Sequence, residues 1–313
     1  MLSLDEINQI IGLITKNYKV SEKVEITLES NPDDMDKNYI TDLNKSTSVN
    51  RLSIGIQSFF NDDLKYLYRV HNSERAIKCI EVSKIAGFDN LTIDLIYGIP
   101  TLTNDKWRKN LEIFFDFEIP HLSSYSLTVE QKTALDVLIR KKKLSNIDEQ
   151  QSIEHFNILL EESEKHSFIH YEISNFAKPG FYSRHNSIYW LGDHYIGFGP
   201  SAHSFNGFSR QWNVMNMKQY CENEPSKIID EKEVLTRDQM YNEYVLTSLR
   251  TTWGCDSEHI SNVFGNTYRD HFNKSISPFI TEGKVLKKEG VHTLSNKGKL
   301  FADGISSALF YDS

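Results

Sequence analysis

The chain has 313 residues, enough to bury a large core, and its 39% hydrophobic and 25% charged residues are typical of a globular protein. No apolar run approaches the ~18 residues of a membrane span and no basic-then-apolar leader opens the sequence, so the cytoplasm is the expected compartment. With 43 acidic against 35 basic residues the net charge is −8, which speaks against nucleic-acid partners; Cys79, Cys221 and Cys255 are too dispersed for a C-x-x-C pair or a disulfide framework.

An amphipathic helix is predicted at Leu4 to Ile14, followed by strands at Val24 to Glu29, Arg51 to Gln57, Leu91 to Ile96 and Leu122 to Leu127. Between them, Ser73 is the expected N-cap of a helix that stops at Gly87, and Thr103 or Asn104 opens another. Helices alternating with short β-branched runs predict a parallel sheet. These strands alternate where doubly covered parallel strands usually read as continuous apolar runs. Leu28, Ile54 and Ile93 share one face with their apolar neighbours, whereas Glu29, Gln57 and Asp94 stand on or near the other face at the C-terminal strand ends, where barrel sites form. A ligand-lined lumen is expected; an open antiparallel sheet with a solvated face is the alternative, disfavoured by the intervening helices.

The basic run Arg140 to Lys143 reads as a solvated loop or helix end. A long helix is expected from Ile147 to Lys165, then a strand-like HYEISNFA, then a stretch rich in glycine, histidine and aromatic residues, SRHNSIYWLGDHYIGFGPSAHSF, from 183 to 205. Beyond Leu235 the order is helix, helix, the hairpin-like VLKKEGVHTLS and a last helix from Asn296 to Phe310. The fold class is therefore α/β: a partial parallel (β/α) barrel over residues 1–225, with a C-terminal winged-helix-like α+β domain over 226–313. Balanced charge in that last domain supplies no electrostatic footprint for DNA.

Glu29 and Asp94 alone would suit paired acid–base carboxylates, or acids satisfied by neighbours. With the amide of Gln57 and the guanidinium of Arg69 they suit a ligand carrying a ribose diol and a carboxylate. Several stretches resemble a known family: LESNPDD (28 to 34), NRLSIGIQSF (50 to 59), RVH (69 to 71), TIDLIYGIP (92 to 100), HYEISNFAKPG (170 to 180), SRHNSIYW (183 to 190) and GFGPSAHSF (197 to 205). They look like the radical S-adenosylmethionine, oxygen-independent coproporphyrinogen III oxidase-like family, and most like its heme-chaperone branch.

The resemblance implies that Glu29, Gln57, Arg69 and Asp94 contact S-adenosylmethionine, with Thr128 a weaker adenine contact or an ordinary loop threonine. It ties His185, Asn186, Tyr189 and Trp190, the HN-x-x-YW signature, to heme; imidazole is a common iron ligand, so His185 is the expected one and His203 a second or a structural loop residue. Tyr189 and Trp190 offer flat apolar surface to a porphyrin, or belong to the core. The implied function is heme chaperone, binding heme and passing it to acceptor proteins, with peripheral contact to membrane proteins; the alternative is a coproporphyrinogen III oxidase-type enzyme. The family's 4Fe-4S cluster is held by C-x-x-x-C-x-x-C beside a G-G-G-T-P segment, and neither motif occurs here. The expectation is a barrel lacking two front units, on the order of 60 residues, with no family-type cluster and an edge at the Val24 strand through which a dimer could form.

Overall fold

The computed structural model describes residues 2–222, 224 and 227–312; the expected domain boundary between 225 and 226 lies outside them. The chain divides into two compact units, 1–170 with 174–182, and 171–173 with 183–313.

The first unit follows the order α1 (Leu4–Asn17), β1 (Thr27–Ser30), α2 (Lys37–Ser46), β2 (Arg51–Gln57), α3 (Asn61–Tyr66), α4 (Ser73–Ala86), β3 (Leu91–Tyr97), α5 (Asn104–Asp116) and β4 (His121–Ser126). Then come α6 (Ala134–Arg140), α7 (Glu149–Lys165), β5 (Ile169–Glu172) and β6 (Asn175–Ala177). Strands β1 to β4 pair in parallel in chain order, as helix-bearing connections require. The segment expected as one strand at HYEISNFA is two: β6 returns antiparallel on β4 and lies between β4 and β5. The sheet is thus parallel over four strands with an antiparallel insertion.

One sheet face carries Leu52, Ile54, Ile56, Ile93, Leu95 and Leu122, all buried, with Ile40 and Leu43 of α2 and Trp107 and Phe114 of α5 buried as well. Covering that face removes apolar area from water at roughly 25 cal/mol per Å2, the main stabilising contribution. Helix boundaries follow their caps. Ser3 and Glu6 form a capping box on α1, and Gly87 closes α4 with φ 100°, a conformation glycine adopts without steric cost. The N-cap of α4 is Asn72, whose side chain accepts from Arg75 N at 2.8 Å, one residue ahead of the expected Ser73. Of the apolar stripe on α1, Ile7 is buried whereas Ile10 and Leu13 are exposed.

The second unit begins with α8 (Arg184–Leu191), β7 (His203–Phe205), β8 (Ser209–Asn213), α9 (Met217–Glu222) and β9 (Ile229–Val234), the strands forming an antiparallel sheet. It continues with α10 (Arg237–Leu249), β10 (Cys255–Asp256), α11 (Ser257–Phe264), α12 (Asn266–Thr281), β11 (Val285–Lys288), β12 (Val291–Leu294), α13 (Asn296–Lys299) and α14 (Ala302–Ala308). Three helices and a small β10-β12-β11 sheet share a core of Tyr241, Val245, Phe272, Ile276, Val285 and Ile305, the winged-helix-like arrangement expected. The expected last helix is two, α13 and α14, interrupted at Leu300 and Phe301. Among the described residues no helix is long and apolar enough to cross a membrane.

Candidate functional site

On the sheet face opposite the apolar one, polar side chains stand in rows. The lower row is a hydrogen-bonded chain. Arg51, buried to 3% exposure, donates to Thr27 Oγ1 at 3.4 Å and to Thr92 Oγ1, and the Thr92 hydroxyl meets His121 Nδ1 at 3.1 Å. Burial, and then the Arg51 charge, hold the His121 imidazole well below its ordinary pKa, so it stays neutral. The upper row contains Glu29, Ser53, Asp94, Ser123 and Asn175: Ser53 Oγ donates to Asp94 Oδ1 at 3.5 Å, and Ser123 Oγ to Asn175 Oδ1 at 2.7 Å. Burial, then the nearby Glu29 carboxylate, push Asp94 from 3.8 to about 6, against hydrogen bonds from Ser123 and Ser53 and the pull of Arg51. Two carboxylates expected at one site are therefore electrically coupled there.

Gln57 ends β2 with φ 68°, in the left-handed region that costs a non-glycine residue of order 1–3 kcal/mol. The turn is over-determined. Ile56 O accepts from Ser58 N at 2.9 Å and from His71 Nε2 at 3.0 Å. The Gln57 amide lies across Gly55, where an added Cβ would come within 2.8 Å of Gln57 Nε2 and 3.3 Å of Asn31 Oδ1. The following loop is anchored by Asp63, which accepts from Ser58 Oγ at 2.8 Å and Thr101 Oγ1 at 2.5 Å, and by Asn110, which accepts from Phe59 N at 2.7 Å. None of these anchors was expected from sequence.

Arg69 does not join this cluster. It is exposed, on the loop after α3, beside a separate hollow of about 320 Å3 that it lines with Tyr68, His71 and Asn72. Thr128 is also exposed, and its hydroxyl reaches only Ser126 O at 3.5 Å.

In the second unit Ser183 caps α8 by accepting from Asn186 N at 3.2 Å, and Gly192 ends the helix at φ 70°. His185 and Tyr189 stand one turn apart, Tyr189 Oη at 3.2 Å from His185 Nε2, rings edge-on at 5.1 Å. Tyr189 and Trp190 line a cavity of about 850 Å3 that His185 and Asn186 do not line. The Arg250 guanidinium lies 5.1 Å over the Trp190 ring and holds its plane, a cation–π contact. His203 stacks on Trp212 at 5.5 Å. Sequence reasoning missed the parts of the cavity wall that come from α10 and α11, which β7 and β8 extend through Phe205 and Arg210.

Comparison with known proteins matches residues 2–113 to the Radical SAM superfamily and 235–301 to the HemN C-terminal domain. The chain is 32% identical over 311 residues to "Heme chaperone HemW" of Bacillus subtilis (strain 168), covering 98% of this chain and 82% of that protein. It is 30% identical to "Heme chaperone HemW" of Lactococcus lactis subsp. lactis (strain IL1403), covering 95% and 78%. Coproporphyrinogen III oxidase (HemN) from Escherichia coli, a radical SAM enzyme, superposes with a TM-score of 0.82 at 22% identity, over 99% of this chain and 75% of that one, a likeness of fold.

Proposed function

The chain belongs to the HemW family of radical SAM proteins, and from that premise we propose that it is a heme chaperone, binding heme and delivering it to acceptor proteins in the cytoplasm. The observation that carries the reading is α8: a histidine, an asparagine, a tyrosine and a tryptophan on two turns, two of them walling a cavity of ligand size. Tyr189 and Trp190 are assigned to heme contact on this basis, the aromatic pair supplying flat apolar surface, while His185 and Asn186 of the same helix stand outside the lining. The likeness to coproporphyrinogen III oxidase, at 22% identity, supports the fold and leaves the oxidase reading second.

Two further groups are implied by the family. The strand ends suit S-adenosylmethionine: Glu29 and Asp94 would accept from ribose hydroxyls or an ammonium, the Gln57 amide lies over Gly55 at the end of β2, and Arg69 and Thr128 stand on exposed loops. An iron–sulfur cluster does not fit the described residues. No group of three or more histidine, cysteine or carboxylate side chains converges there, and burial pushes the Cys79 and Cys255 thiols up to about 12.

Titration of the purified chain with hemin tests the chaperone reading. A saturable Soret band is expected, with affinity falling about tenfold in Trp190→Ala. Absence of saturable binding would refute the assignment, and conversion of coproporphyrinogen to protoporphyrinogen under anaerobic conditions would favour the oxidase.

A further inference from the structure

The cavity beside Trp190 is closed on its other side by α10 and α11, whose side chains no sequence motif connects with a ligand. Its chemistry is specific. Aromatic rings line it: Trp190, under the Arg250 guanidinium, and the stacked pair Tyr244 and His259, 4.4 Å apart at 28°. At about 850 Å3 it lies in the range of sites that enclose a large organic ligand.

Two guanidinium groups line it. Arg210 is already neutralised by Glu243 at 2.7 Å. Arg237 gives one nitrogen to Val263 O at 3.2 Å and, among the described residues, makes no ion pair, so the rest of its donor fork is available to a carboxylate. His259 is the only histidine lining the cavity among the described residues. Its ring contacts are to Tyr244 and Phe264, and neither of its nitrogens is engaged by another described side chain or backbone group. By contrast His185 Nε2 is met by Tyr189 Oη, and His185 lies outside the lining.

We propose that this cavity is the porphyrin pocket itself, with His259 the imidazole presented to the iron and Arg237 the partner of a propionate carboxylate. Planar apolar walls, one unpaired guanidinium and one imidazole match a metalloporphyrin bearing carboxylates more closely than a nucleotide, which would call for phosphate-binding backbone amides. His185 is then a positioning residue that holds the Tyr189 ring in the lining. This assignment rests on the heme reading above and goes beyond it by moving the iron ligand to the C-terminal helices.

The test uses the intact chain with hemin and hemin dimethyl ester. His259→Ala is expected to shift the Soret band and weaken binding about tenfold, with added imidazole restoring the wild-type spectrum, whereas His185→Ala leaves the band in place. Wild type is expected to prefer hemin to its diester by about tenfold, a preference that falls toward one in Arg237→Leu. Both residues are exposed, so neither substitution perturbs the core. If wild type binds hemin but His259→Ala keeps the wild-type spectrum while His185→Ala loses it, the pocket assignment fails and the chaperone reading stands. If wild type binds no hemin, both fail.

Discussion

Replacing Asp94 with Asn isolates the electrostatics of the strand-end site. The carboxyl is pushed from 3.8 to about 6, so the folded chain binds its proton more tightly than the unfolded chain does. For an acid, that sign means ionisation works against folding: the penalty is absent below pH 3.8, grows between 3.8 and about 6, and is constant above. At about 1.36 kcal/mol per pH unit the full penalty approaches about 3 kcal/mol, and because Asp94 is only half-buried, solvent screening trims it to roughly 1–2 kcal/mol. The isosteric amide keeps a hydrogen-bonding group facing Ser53 and Ser123 and never ionises. Asp94→Asn should therefore raise the melting temperature at pH 8 by about 2–6 °C. The gain should shrink steadily below pH 6 and nearly vanish at pH 4. Calorimetric melting from pH 4 to 8 measures it. A gain independent of pH, or a loss at pH 8, refutes the reasoning.

Two other substitutions probe the scaffold. Asn110→Ala leaves Phe59 N without its buried acceptor and removes the amide donor to Ser58 Oγ, which keeps Asp63; it should cost about 2–3 kcal/mol by urea denaturation, with faster amide exchange over residues 58–60. Gly298→Ala places a Cβ 1.9 Å from Lys284 O, a backbone atom that cannot swing aside, and should cost about 3 kcal/mol or more. Limited proteolysis should then cut first within 235–312 and spare the first unit.

Strand β2 is legible residue for residue, Arg51 to Gln57, because its alternation is bounded by turn residues on both sides. Strand β1 starts at Thr27, three residues later than the alternating pattern, since Val24 to Ile26 have no strand partner in register. The α4 start was displaced because Asn and Ser at adjacent positions compete for one cap, and the longer Asn72 side chain reaches Arg75 N. The split of HYEISNFA was hidden because the turn at Ile173 and Ser174 has no glycine or proline to mark it. Glu29, Gln57 and Asp94 were visible because strand period puts them at one end of one face. Arg51 and His121 were not, because a charged residue at a strand start reads as surface until its partners on neighbouring strands are known. The α8 cavity escaped for the same reason: Trp190, Arg237, Tyr244 and His259 meet only through tertiary structure.

The guanidinium of Arg51 favours the carboxylate form of Asp94, whereas burial and the Glu29 charge favour its protonated form, and the second pair wins. A cationic group settling between the two carboxylates favours the ionised form of Asp94 and so expels its proton whenever the pH lies below about 6. Binding of such a group would release that proton, so its affinity would fall as the pH drops below about 6, by at most about tenfold for each pH unit.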